Sequence, residues 1–152
     1  MREGNVIRIP FAIPSRNTLD KMHWAKKRRL QNEYRLFVRQ QMTKYKISKW
    51  IIPKKGEIYL QSVKRYEIRD YDNLMGGAKL MIDALVKEGF IFDDTIKLIG
   101  TPRIRQSSLK RWKEGIEEIM GKKGDQLVQA KYNRSKYWDV EHTTIIRTER
   151  ED

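Results

Sequence analysis

The sequence predicts one α+β domain over residues 1–152, a small mixed or antiparallel sheet with helices packed on one side. Three observations predict it. Segments with the alternating apolar period of strands open and close the chain. Between them, two segments carry apolar residues at spacings of three and four, the signature of amphipathic helices. The length of 152 residues and hydrophobic content of 39% suit a single core.

Residues 5–11, NVIRIPF, alternate and predict the first strand, ended by Pro10 and Pro14. IPSRNTLDKMHW then reads as a turn-rich loop. Residues 24–45 predict a long helix with Leu30, Tyr34, Phe37, Val38 and Met42 as its apolar stripe. A turn around Pro53 and Gly56 leads into a strand from Glu57 that runs up to Asp70. Residues 78–88 predict a second helix on Ala78, Met81, Ile82 and Leu85, closed by Gly89. FIFDD, residues 90–94, is a short apolar segment ending in two aspartates. Residues 97–105 read as another strand, and 140–148 as the closing one. Between these last two, residues 106–137 predict a basic, aromatic helical insert. There Trp112 reads as core, while Tyr132, Tyr137 and Trp138 leave base stacking open.

The chain carries a formal charge of +13. Self-repulsion makes such an excess unfavourable in a compact domain, and a polyanion would offset it. Nucleic acid is the expected partner. There are no cysteines and two histidines, which exclude disulfides and make an all-protein zinc site unexpected. No apolar run has membrane-spanning length and no signal peptide opens the chain, so a cytoplasmic protein with no membrane association is expected.

The charge is uneven. Residues 1–50 hold 13 Lys and Arg against 3 Asp and Glu, whereas residues 70–94 hold 6 Asp and Glu against 2 Lys. Carboxylates beside phosphates repel them unless a cation intervenes. On an extended segment, Asp70 and Asp72 would point to one face. Asp93 and Asp94, after another apolar run, would reach the same sheet edge. Such carboxylates suit Mg2+, or Mn2+, with remaining positions open to water and phosphate. Lys79 and Asp83 are spaced i,i+4, which describes either a surface ion pair or a lysine oriented over a phosphate. Gly76 and Gly77 are expected to let backbone approach the phosphate, or to turn the chain into the helix.

The run Asp70-Tyr-Asp72-Asn73-Leu74, then Lys79-xxx-Asp83-Ala84-Leu85, then Gly89-Phe-Ile-Phe-Asp93-Asp94, resembles the RusA family of Holliday junction resolvases. A first strand, Pro14-Ser-Arg-Asn17 and a basic helix fit as well. The resemblance covers residues 5–105, with 140–148 as its last strand. Two departures stand out: LMGGA between Asn73 and Lys79 is longer than the shortest family version, and so is the 106–137 segment.

The resemblance implies a dimeric α+β nuclease that cuts four-way DNA junctions by paired, symmetric, Mg2+-dependent nicks. It implies Asp70, Asp72 and Asp94 as metal ligands and Lys79 as the catalytic lysine. Asp83, Asp93 and Asn73 would support them. Arg16, Lys27, Arg28 and Lys64 are the expected DNA contacts, gripping backbone rather than reading sequence. Two alternatives stand beside this reading: a basic DNA-binding protein without catalysis, and a related nuclease acting on forks or flaps.

Overall fold

A computed structural model describes residues 5–111 and 141–149. Four strands, β1 (Asn5–Ile9), β2 (Gly56–Lys64), β3 (Arg103–Ser108) and β4 (His142–Glu149), form one sheet in the order β1-β4-β2-β3. β4 pairs antiparallel with β1 and β2, and β2 pairs parallel with β3, so the sheet is mixed. Helices α1 (Arg16–Asp20), α2 (Trp24–Lys44), α3 (Tyr71–Lys87) and α4 (Ile96–Ile99) complete the described fold.

Alternation along the strands decides which face is covered. Ile7 and Ile9 of β1, Ile58 and Leu60 of β2, and Ile145 of β4 are buried. They form one core with Tyr34, Val38 and Met42 of α2 and Leu74, Met81 and Leu85 of α3. Each such side chain contributes roughly 1.5–3 kcal/mol of burial. The residues between them, Val6, Tyr59, Gln61, Thr144 and Ile146, are half-buried or exposed.

Local capping sets the helix ends. The Ser15 hydroxyl accepts from the Thr18 amide at 3.0 Å and starts α1. His23 Nδ1 accepts from the Ala25 amide at 3.2 Å and starts α2. α3 ends as expected at Gly89, whose φ of +80° suits glycine, and the Phe90 amide donates back to the Leu85 carbonyl. Glu88, at the end of α3, accepts from Arg35 at 2.7 Å and Arg39 at 2.8 Å, tying α3 to α2.

Arg147 of β4 is buried. Its Nη1 and Nη2 donate to the carbonyls of Phe90 and Ser48, each at 2.6 Å. The rings of Trp50 and Phe90 both lie 4.7 Å from its guanidinium carbon.

Several sequence expectations are corrected. The loop after Pro14 contains α1. β2 stops at Lys64 rather than running to Asp70, and α3 starts at Tyr71 rather than residue 78. Asp70 and Asp72 therefore flank a helix start instead of sharing a strand face, and Gly76 and Gly77 lie inside the helix rather than in a turn before it. The strand expected over 97–105 is split: α4 ends at Gly100, whose φ of +66° reverses the chain, and β3 begins at Arg103. β3 runs to Ser108, into the expected insert. Residues 112–140, with Trp112, Tyr132, Tyr137 and Trp138, lie outside the described residues.

Candidate nucleic-acid and metal site on α3

The acidic motif is organised by one helix. Asp72, Gly76, Lys79 and Asp83 recur at spacings of four, three and four, so they share one face of α3. Leu74, Ala78, Met81 and Leu85 occupy the opposite, buried face. Burial of that face fixes the rotation of α3 and turns the acidic face outward.

Lys79 is the centre of the assembled contacts. Its ammonium donates to Asp94 Oδ2 at 2.9 Å and pairs with Asp83 Oδ1 at 3.4 Å. Asp94 is held in turn: its amide donates to the Asp93 carboxylate at 2.7 Å. The hydrogen bond to Asp94 raises the Lys79 pKa above its ordinary value, against the opposing effect of burial. The same bond from Lys79 holds Asp94 below the usual carboxylate value. With Lys79 largely exposed, these pairs add little to stability; what they fix is the position of a charged amine.

Asp70 is the N-cap residue of α3 but makes no side-chain cap bond. Asp70 and Asp72 are both exposed, and among the described residues neither carboxylate has a hydrogen-bond or ion-pair partner. Tyr71, between them, lines an open cavity of about 610 Å³ together with Arg103 and Arg105 of the edge strand β3.

A metal caged by three protein carboxylates does not fit this arrangement. Among the described residues, no group of three or more His, Asp or Glu side chains is gathered to hold an ion. Asp94 instead faces Lys79. The chemistry of Asp70 and Asp72 fits a more open site: Mg2+ commonly takes one or two carboxylates and completes its shell with water and substrate phosphates.

The other expected residues lie on several elements. The Asn73 side-chain oxygen accepts from the Asn17 amide at 2.9 Å, anchoring α1 rather than facing Lys79. Arg16 lies against Gly76. Lys64 donates to the Ile13 carbonyl at 3.2 Å, a structural contact that ties its ammonium to the protein. Lys27 and Arg28 lie in the first turns of α2, with Arg28 exposed. Sequence reasoning places Gly76 near the phosphate through its backbone but does not find the Arg16 side chain that lies on it. The available signal was the place of Gly76 on the Asp72–Lys79 spacing, legible once the helix is extended back to residue 71.

No family model matches the chain, and a search of curated proteins finds no match to it.

Proposed function

We propose that the chain is a metal-dependent, structure-specific endonuclease of the RusA type, resolving four-way DNA junctions by paired nicks as a homodimer. The observation that carries this reading is Lys79, clamped by Asp83 and Asp94 on the same α3 face as Asp72, in a domain of charge +13. A structural ion pair needs one acid. Two acids around one exposed lysine, close in sequence to two unpaired carboxylates, support a site that receives a phosphodiester.

Asp70 and Asp72 would hold Mg2+ or Mn2+. When bound, the ion supplies a water of lowered pKa and neutralises charge on the phosphate. Lys79 presents its ammonium to the same phosphodiester, and Asp83 and Asp94 keep it protonated and in place. Arg16, Lys27 and Arg28 grip the backbone. A two-fold dimer would match the pseudo-symmetry of a junction.

One observation favours a second reading, a basic DNA-binding protein without catalysis: three carboxylates are not gathered among the described residues. One experiment separates the two. Purified protein is incubated with a synthetic four-way junction, a fork, a flap and a linear duplex, with and without Mg2+, and again as Asp72→Asn. Junction cutting that requires Mg2+ and disappears in Asp72→Asn, with binding retained, is the expected result. Cutting of forks or flaps in preference redirects the substrate. DNA bound but uncut throughout favours the second reading.

A further inference from the structure

We infer that Arg16 is part of the α3 site as a phosphate-binding residue, and that Gly76 is the positioning residue that seats it between Asp72 and Lys79. The inference rests on the reading of this chain as a DNA-acting protein and adds a residue pair to it. Gly76 stands four residues after Asp72 and three before Lys79, in the middle of the face that both occupy. A methyl group at Gly76 would come within 2.6 Å of Arg16 Cδ and 2.9 Å of its Cβ and Cγ. The Arg16 stem thus lies flat across bare helix backbone. Any side chain at position 76 would lift it off.

The seat is braced on both sides. A side chain at Gly77 would overlap the Pro14 carbonyl oxygen, so the loop carrying Arg16 touches α3 backbone to backbone. The Asn17 amide donates to Asn73 on the same helix at 2.9 Å. Ser15 caps α1 at 3.0 Å and fixes the intervening turn. Residues immediately before and after Arg16 are therefore held, while its own head group stays free to act. The Arg16 side chain is 63% exposed, and its pair with Asp20 is 3.6 Å long and equally exposed. Such a pair holds the guanidinium weakly. A DNA phosphate offers two oxygens to the guanidinium fork and a stronger, charge-assisted contact.

Lys79 shares its charge with two carboxylates, so a phosphodiester on that face calls for a second cation beside it. Arg16, held only by its exposed 3.6 Å pair with Asp20, supplies that second positive charge. The ligand is thus a backbone phosphodiester of DNA lying along α3, and the contact carries no base information.

The test is a mutant cycle on binding, read without Mg2+ so that nothing is cut. Affinity for a fluorescent four-way junction and a duplex is measured across a NaCl series. The proteins are wild type, Arg16→Ala, Arg16→Lys, Gly76→Leu and the Arg16→Ala/Gly76→Leu double variant. Arg16→Ala is expected to bind about tenfold more weakly, with the salt slope reduced by about one. Gly76→Leu is expected to match it in both, and the double variant to be no weaker than either single one. Arg16→Lys keeps the slope and recovers part of the affinity. If Gly76→Leu melts more than a few degrees early, Gly76→Ala takes its place in the cycle.

A merely structural Gly76 would lower the melting temperature without moving the salt slope, and that outcome overturns the inference. So does an Arg16→Ala protein that binds like wild type, or a double variant whose losses multiply. Wild type that binds DNA yet cuts nothing with Mg2+ sinks the nuclease reading and leaves Arg16 to be judged on this cycle. Wild type that binds no DNA sinks both.

Discussion

Arg147→Met removes a buried guanidinium while keeping an apolar stem of similar length, so it isolates the polar work of that residue. In wild type the guanidinium donates to the Phe90 and Ser48 carbonyls at 2.6 Å. With the Asn5 amide oxygen turned toward it, it also donates there from Nη2 at 2.7 Å and Nε at 2.9 Å. The variant leaves three acceptors without these donors, each a loss of roughly 2 kcal/mol, or roughly 6 kcal/mol in all. Against this stands the desolvation that the variant avoids. Burial pulls the Arg147 pKa down from the ordinary guanidinium value to about 10, a penalty on the charged form of roughly 3 kcal/mol. The net expectation is a loss of about 3 kcal/mol, or a melting temperature lower by roughly 6–12 °C. Urea unfolding at pH 7 measures the first and thermal melts followed by circular dichroism the second. Unchanged or higher stability would refute the reasoning, and would mean that desolvation outweighs the three acceptors.

Glu88→Gln tests the tie between α2 and α3. Burial raises the Glu88 pKa, but hydrogen bonds from Arg39 and Arg35 more than reverse it, so the folded value lies below the ordinary 4.5. A depressed carboxyl contributes stability that is fully present above the unfolded value and lost as pH falls through the folded one. The variant should therefore be less stable by about 2 kcal/mol at pH 7, with the gap to wild type closing below pH 4.5 in urea titrations; a gap that widens in acid counts against the pairing. Gly77→Ala should destabilise by about 1–3 kcal/mol, although alanine is the better helix former by about 1 kcal/mol. A stabilised variant in the same denaturation assay would show that the Pro14 loop yields freely. Lys79→Gln should leave the melting temperature within about 2 °C, because its pairs are exposed, yet, on the proposed nuclease reading, slow junction cutting by about a hundredfold or more. Equal single-turnover rates in wild type and variant would remove Lys79 from the chemistry.

The parts of this fold legible in the sequence are those governed by one period. The strand alternation of NVIRI and HTTIIRTE and the stripe of α2 follow from which side chains can be buried together. The start of α3 is hidden in the sequence because two glycines inside it look like a break. Tertiary contact overrides that propensity: Pro14 lies where a Cβ at Gly77 would be, so the helix accepts a glycine to bring α1 close. The stripe itself continues back through Leu74, and Asp70 is a preferred N-cap type. The Lys79–Asp83 pair was readable from its spacing, whereas the partners of Arg147 were not. Periodicity says that position 147 faces inward, but the carbonyls of Ser48 and Phe90 that receive its charge are set by loop paths.

Continuity of α3 also changes what the LMGGA segment means. As a loop, it would place Lys79 anywhere. As helix, it makes the interval from Asp72 to Lys79 seven residues, nearly two whole turns, which returns the lysine to the same face about 10 Å along the axis. Asp72, an anion, repels a phosphate held by Lys79 unless a cation lies beside the carboxylate. Gly76 falls one turn beyond Asp72, and the side chain that lies on it is Arg16. The helical interval and the glycine thus act together: the first leaves room on the acidic face between Asp72 and Lys79, and the second lets an arginine from α1 lie there.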